Sequence, residues 1–564
     1  MPRSSQLLHP PLSTVTPRLA ATVLLFRDGP DGPEVLMTRR SGQAGFAASL
    51  YVFPGGAVES ADEAASEAPD GARFRDDQQG EARVWALAAL RESYEEVGVL
   101  LAHRADGSPA TQADVTALEA AIGRRSDAAT FHAACVSLGL HPAADAVRVL
   151  ARWLAPLDLP KRFDTPFLVA RMPRDQTPHA DAHEQVDIRW VRPAEAVALH
   201  AQGQFPMMFP TVRTLERLAA QPSVDAVLDA CAAGHPLWQY CPRGALDAAG
   251  HEVRLVNEDL AYGELGLVTP YGQVAHSIVW QHEHPVPLLR NVLRLTAPNA
   301  GVMTGPGTNT YLVGTAASGF AVIDPGPADG EHLGRILAAT GGDVRFIVCT
   351  HSHPDHSPGA FVLQTLSAAR AGAHHRPPVL GLHHGPHARL DSHFVPDEEL
   401  TDGAALVLYE PDGTTHTLTA LHTPGHTANH VCLALEEDGL LFSGDHILNG
   451  STTIVDPPDG AMGDYLASLE RLDAACVRHG LEFILPAHGY AMQHARAVIA
   501  GLRAHRLARE ARVLAAMQGS PSGSLDDWVA HAYSDTPATL WPLARRSLLA
   551  HVEHLRMTGR APSA

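Results

Sequence analysis

The stretch Thr350-His351-Ser352-His353-Pro354-Asp355-His356 decides how the rest of the chain is read, because three histidines and an aspartate within six residues exceed what packing requires. The residues before it, Val344 to Cys349 (VRFIVC), form a β-branched, apolar run of strand length. The cluster therefore falls where a buried strand ends and a loop opens. In an extended loop His351 and His353 point one way while Asp355 and His356 turn toward a neighbouring position, so one loop can serve two metals.

Such a site draws further ligands from elsewhere, and three later segments offer them after strand-like runs: His426 in TPGHT, Asp445 after LLFSG, and His488 after FILPA. The predicted metal ligands are His351, His353, Asp355, His356, His426, Asp445 and His488. Imidazole with carboxylate and no thiolate suits zinc, and manganese or iron also accept the set. The order and wording TNTYL, HSHPDH, TPGHT, SGD and PAHG, from about Pro285 to Tyr490, resemble the metallo-β-lactamase superfamily. The resemblance implies an αββα sandwich with a dinuclear site at one sheet edge, Asp445 bridging two zinc ions, and Asp355 orienting a water activated near neutral pH. A bridging aspartate belongs to the thioesterase and nuclease branches, which weighs against a true β-lactamase. In a chain with 34 histidines, His383, His384, His387, His422 and His430 are read as surface or core residues.

In the N-terminal third, AATVLLFR (Ala20 to Arg27) and EVLMT (Glu34 to Thr38) read as a hairpin around DGPDGP. A helix is predicted in EARVWALAALRESYEEVGVLL, with Leu87, Leu90, Tyr94 and Val97 on one face and Glu92, Glu95 and Glu96 on the other. Three carboxylates so close repel each other unless cations intervene, and magnesium is the natural one. Gly56, Arg91, Glu92, Glu95, Glu96 and Gly98 resemble the Nudix box, although Asp62 stands where the family has its first glutamate and Ser93 where a hydrophobic residue is usual. The spacer from residue 63 to 90 is stretched, as in the peroxisomal coenzyme A diphosphatase branch, and is expected to be a loop excursion. The resemblance implies magnesium or manganese on Glu92, Glu95 and Glu96, with Glu95 catalytic, Arg91 orienting the glutamates, and Glu184 an additional ligand.

At 564 residues with 45% hydrophobic and 18% charged, the chain is globular and too long for one core. The expected division is a flexible tail (1–16), a Nudix αβα sandwich (17–221), a linker (222–284), the metallo-β-lactamase fold (285–495) and a helical cap (496–564). That cap resembles the winged helix of a branch that includes a mitochondrial single-strand RNA endonuclease. Net charge of −20 argues against binding nucleic acid over the whole surface. Residues 501–564 carry eight arginines against five acidic residues. Arg503, Arg506, Arg509 and Arg512 recur there as a solvated helix face or, alternatively, an anion-binding stripe. Six scattered cysteines without C-x-x-C spacing fit a reducing cytosol, and neither a signal core nor a membrane span is evident. The favoured reading is a cytoplasmic two-site hydrolase of a diphosphate and a thioester, with small-molecule substrates and no membrane partner. The alternative is an RNA-processing endonuclease with a Nudix ligand sensor. Oligomeric state is open.

Overall fold

Short, largely apolar runs such as Val431–Leu435 and Leu440–Gly444 are buried along their whole length, which a strand achieves only when both sheet faces are covered. The computed structural model describes residues 2–43, 47–68, 71–181, 184–371 and 376–562. It divides into two units, Ser13–Pro242 and, joined by Met1–Leu12, Arg243–Ala564.

The second unit stacks two sheets. The seven-stranded one runs, in spatial order, Val286–Leu289, Val292–Thr296, Asn309–Thr315, Gly319–Ile323, Val344–Val348, Val379–Gly381 and Glu398–Glu399. The six-stranded one runs Ala405–Tyr409, Thr415–His422, Val431–Leu435, Leu440–Gly444, Phe483–Pro486 and Met492–Gln493. Their inner faces share one core through Val313, Ile323, Val348, Leu418, Leu433 and Phe442. Helices Gly330–Ala339 and Gly359–Ala371 cover the outside of the first sheet. Met462–His479 and the start of Ala495–Gly519 cover the second. This is the predicted αββα sandwich.

The far half of helix Ala495–Gly519 belongs to a separate small core with Leu525–Ala532 and Trp541–Met557, where Val513, Trp528, Leu548 and Val552 meet. Its arginines are only in part the solvated face expected from the sequence, Arg503 being exposed, Arg512 half-exposed, and Arg506 and Arg509 enclosed. Arg503 pairs with Glu470 at 2.6 Å, Arg509 and Arg512 share Asp535, and Arg506 is buried, its guanidinium donating to the Thr453 carbonyl. Helical spacing alone does not tell an anion-binding row from one that ties helices together.

Residues up to Leu12 are not a loose tail. The fully buried Asp438 carboxylate accepts from Arg3 Nε at 2.9 Å, Arg3 Nη2 at 2.7 Å and Asn291 Nδ2 at 2.8 Å, and Leu7 enters the main core. A buried carboxylate requires a cation, and here the cation lies more than four hundred residues away in sequence. Nor is 222–284 a linker. Up to Pro242 it completes the first unit, strand Trp238–Tyr240 pairing with Arg148–Leu154. Beyond it, Ala245, Leu265, Leu267 and Val268 join the second unit's main core.

In the first unit, strand Arg18–Gly29 pairs antiparallel with Gly32–Arg40, Phe26 opposite Val35, and parallel with Phe163–Arg171. Helix Glu81–Val97 packs Leu87, Leu90 and Val97 onto this sheet. The stretched spacer is not a plain loop: it supplies most of helix Ser60–Glu67 and, because alanine and leucine favour helix, the first half of Glu81–Val97. Among the described residues no helix is long and apolar enough to cross a membrane.

Glu264, wholly buried, pairs with Arg294, meets His276 at 3.0 Å and accepts the Ala491 N–H at 3.0 Å. Burial pushes its carboxyl up, but Arg294 and His276 outweigh burial and hold it at about 2, below the ordinary 4.5. The stability it contributes is therefore present above pH 4.5 and lost as the pH falls toward 2. Glu264→Gln should remove that acid-side slope and cost about 3–5 kcal/mol at neutral pH, because Arg294 stays buried. Arg3→Ala should cost about 3 kcal/mol by the same logic at Asp438. Urea unfolding at neutral and acid pH measures all three effects.

Candidate functional site

Strands that run the same way end at the same edge, whether adjacent or separated by an antiparallel strand, so the loops that follow them lie together. His351 and His353 follow Val344–Val348, His426 follows Thr415–His422, Asp445 follows Leu440–Gly444, and His488 follows Phe483–Pro486. All seven predicted ligands come together. They form two groups, His351/His353/His426/Asp445 and Asp355/His356/His488, with donor atoms within 4.8 Å of one another in each.

In the first group His353 Nδ1 lies 3.0 Å from both His351 Nε2 and His426 Nε2. Three ring nitrogens so close converge their lone pairs on one point. Burial first, then neighbouring imidazoles, holds His351 and His353 below the ordinary imidazole range, His353 at about 3, which keeps them in the neutral, ligating form. In the second group Asp355 Oδ2 lies 3.2 Å from His356 Nε2 and 3.3 Å from His488 Nε2. Asp445 faces both groups, Oδ2 at 3.6 Å from His426 Nε2 and Oδ1 at 3.3 Å from His488 Nε2. Burial lowers His488, but the Asp445 and Asp355 carboxylates outweigh it and raise it to about 10.

The donor set fits a pair of divalent ions. His356 Nε2 and Asp445 Oδ1 are buried with ion-pair neighbours at 3.2–3.5 Å but no aligned hydrogen bond, which leaves both free to ligate an ion. Four of the five histidines engage the opposite ring nitrogen: His351 Nδ1 with Thr350 Oγ1 at 3.0 Å, His356 Nδ1 with Asp324 Oδ2 at 3.0 Å, His426 Nδ1 with the Ile454 carbonyl at 2.7 Å, and His488 Nδ1 with the Gly307 carbonyl at 3.1 Å. A ring N–H that donates outward aims the Nε2 of each of these rings inward; on His356 and His488, which the neighbouring carboxylates keep protonated, an arriving ion would displace the Nε2 proton.

Two supporting residues escaped the sequence reading. Asp324, at φ +50°, also accepts from the Thr350 N–H at 2.7 Å and hydroxyl at 2.8 Å, tying two strand ends to His356. Its only signal was a strand run broken by Asp-Pro-Gly. His430 is not in either ligand group, as expected, yet its Nε2 accepts the Asp445 N–H at 3.2 Å. Gly444 explains the glycine of SGD: at φ +49° a Cβ would stand 2.6 Å from His430 Nε2 and 2.8 Å from Thr350 Oγ1.

The glutamates of the first unit are arranged differently. Arg91 is buried and donates to Glu92 Oε1 at 2.8 Å, Glu95 Oε2 at 3.1 Å and Asp62 Oδ2 at 3.0 Å. Glu96 instead accepts from the Gly55 N–H and Gln185 Nε2, each at 2.9 Å. Among the described residues the three do not form a compact donor group like those of the second unit. Burial first, and Glu92 beside them, pushes Glu95 and Glu96 up to about 8, with Arg91 pulling against it at Glu95. Glu95 Oε1 is buried without a partner, so this unit too has an oxygen suited to a hard cation. Gly56 admits the helix, since a Cβ would stand 2.3 Å from Glu92 Oε1. Glu184 is exposed, with Arg125 at 3.9 Å and Arg40 at 4.0 Å.

The family signature of the Metallo-beta-lactamase superfamily matches residues 303–480. A Drosophila melanogaster protein called Beta-lactamase-like protein 2 homolog is 32% identical over 283 residues, covering 48% of this chain and 90% of the fly protein. The chain belongs to the metallo-β-lactamase superfamily. In this superfamily member the NUDT19 Nudix domain signature matches residues 69–218 and the Beta-lactamase associated winged helix domain matches 524–563. It is therefore a Nudix–metallo-β-lactamase fusion with a winged-helix cap, and a hydrolase. The Atrochrysone carboxyl ACP thioesterase of Aspergillus chevalieri is 31% identical over 236 residues, covering 41% of this chain and 66% of that protein. Among solved structures, a NUDIX hydrolase from Alicyclobacillus acidocaldarius is 26% identical with a TM-score of 0.34, covering 38% of this chain and 97% of its own.

Removing one inward nitrogen or the shared carboxylate should lower bound metal. His353→Ala and Asp445→Ala should each hold fewer than the parent's expected two ions, and Asp324→Asn should weaken retention about 10- to 100-fold without removing a ligand. Metal analysis after dialysis against a graded chelator series checks each case.

Proposed function

We propose that the C-terminal site is a dinuclear centre that hydrolyses a thioester or a related small-molecule bond, and that the Nudix site cleaves the diphosphate of a nucleoside diphosphate derivative such as a coenzyme A ester. The position of Asp445 carries the first half: each of its oxygens faces a different ligand group. Two zinc ions held by the seven residues would supply a water activated near neutral pH and polarise the scissile group. Asp355, more exposed than Asp445, is held by the Thr308 hydroxyl at 3.1 Å and would bind the second ion and orient the attacking water. The relative named as a thioesterase supports this substrate class. So do Arg506 and Arg509 of the cap, which are enclosed and engaged within the protein, leaving only Arg503 and Arg512 of that row at the surface to meet an RNA backbone.

In the Nudix site Arg91 holds Glu92 and Glu95 in place, and magnesium or manganese on Glu92, Glu95 and Glu96 would neutralise the diphosphate. Glu95 combines an ion-paired oxygen with a buried, unpartnered one, which suits it to accept a proton from the attacking water.

Purified protein with zinc and magnesium is incubated with acyl coenzyme A species, nucleoside diphosphate sugars and short RNA, and products are identified by mass. Glu95→Gln should abolish diphosphate cleavage and leave thioester hydrolysis intact. Asp355→Asn should do the reverse, lowering thioester turnover by about 10²- to 10⁴-fold. RNA cleavage lost in Asp355→Asn, with no thioester turnover in the parent, would replace this reading by the nuclease one.

A further inference from the structure

The loop 453–459 belongs to neither sheet, yet two metal-site residues lean on it. The Ile454 carbonyl accepts from His426 Nδ1 at 2.7 Å and so sets the tautomer and tilt of that ring. The Thr453 hydroxyl donates to the Asp445 carbonyl at 2.7 Å. A segment without ladder hydrogen bonds needs other groups to fix its carbonyls. Two groups that hold this segment come from the cap, one on a loop carbonyl and one on a loop carboxylate.

Arg506, on the long helix Ala495–Gly519 and only 3% exposed, donates to the Thr453 carbonyl. Its guanidinium lies 5.0 Å from the Tyr465 ring, and the Tyr465 hydroxyl donates to the His446 carbonyl, one residue after Asp445. Arg546, on the terminal helix Trp541–Met557, pairs with Asp456, whose same oxygen accepts from Arg389 at 2.7 Å. The cap coheres without these contacts, through Val513, Trp528, Leu548 and Val552. A buried guanidinium that donates to a neutral carbonyl adds little net stability for its desolvation. What it does accomplish is to fix where that carbonyl, and the residue after it, point.

We propose that the C-terminal cap is a clamp on the metal centre, with Arg506 and Arg546 as positioning residues that hold loop 453–459 against His426 and Asp445. This rests on the metallohydrolase reading above, since the loop's function is to orient ligands. Docking of the cap then controls how tightly the site keeps its ions, and the winged helix serves the chemistry without touching substrate.

The test uses the full chain loaded with zinc and compares Arg506→Gln, Arg546→Gln and Arg546→Lys with Arg503→Gln. The last breaks a cap-to-body ion pair, with Glu470, that does not touch the loop. Zinc retention against a chelator and the melting temperature of the metal-free protein are read separately. Arg506→Gln and Arg546→Gln should lose zinc about 10- to 100-fold more readily than the parent. Arg546→Lys should recover part of that loss, while the metal-free Arg546→Gln melts with Arg503→Gln. Should Arg506→Gln fail to fold, the half-exposed Arg546 carries the test. Parent-like retention in Arg546→Gln, or equal loss in Arg503→Gln, overturns the clamp alone. A parent that takes up no zinc overturns the metal-site assignment and the clamp with it.

Discussion

Everything in the C-terminal unit answers to one constraint, that imidazole nitrogens crowded to 3.0 Å must stay neutral and point at a common centre. Burial withholds protons from the first group, and outward hydrogen bonds to Thr350, Asp324, Ile454 and Gly307 fix the rings. The sandwich supplies the rigidity, because each ligand follows a strand locked into a packed sheet. Neither feature alone makes a site: without the outer acceptors the rings rotate, and without the sheets the acceptors move.

The same economy of buried charge recurs away from the metal centre. Asp438, Glu264 and Arg91 are each enclosed and each answered by groups distant in sequence. Such pairs add little net stability against a well-packed apolar alternative, but breaking one leaves a stranded charge. They therefore specify which segments assemble together. Arg3 enrols the chain's start in the C-terminal unit, and Glu264 enrols the stretch between the two domains.

Within the Nudix unit the three glutamates sit in a different electrostatic state from the metal-site histidines. Arg91 stands between Glu92 and Glu95 and takes part of the role a cation would play, while Glu96 turns to a backbone N–H. Carboxyls held near 8 are poised to exchange a proton for a divalent ion.

The residues that converge on the candidate metal site and both folds were legible in the chain because they depend on local pattern: apolar runs ending in HSHPDH, TPGHT, SGD and PAHG, and a helix whose apolar and acidic residues fall on opposite faces. A residue that bonds metal must have a particular chemistry at a strand end, and that leaves a mark in one dimension. Asp324, Arg506 and Arg3 left none, since an aspartate before Pro-Gly, an arginine in a helical row and an arginine near a terminus are all ordinary. Their roles are set by what folding brings opposite them: Thr350 and His356, the Thr453 carbonyl, and Asp438. Tertiary structure decided those, because the free energy of a buried charge or an orphaned carbonyl depends on its neighbours in space and has no counterpart in sequence spacing.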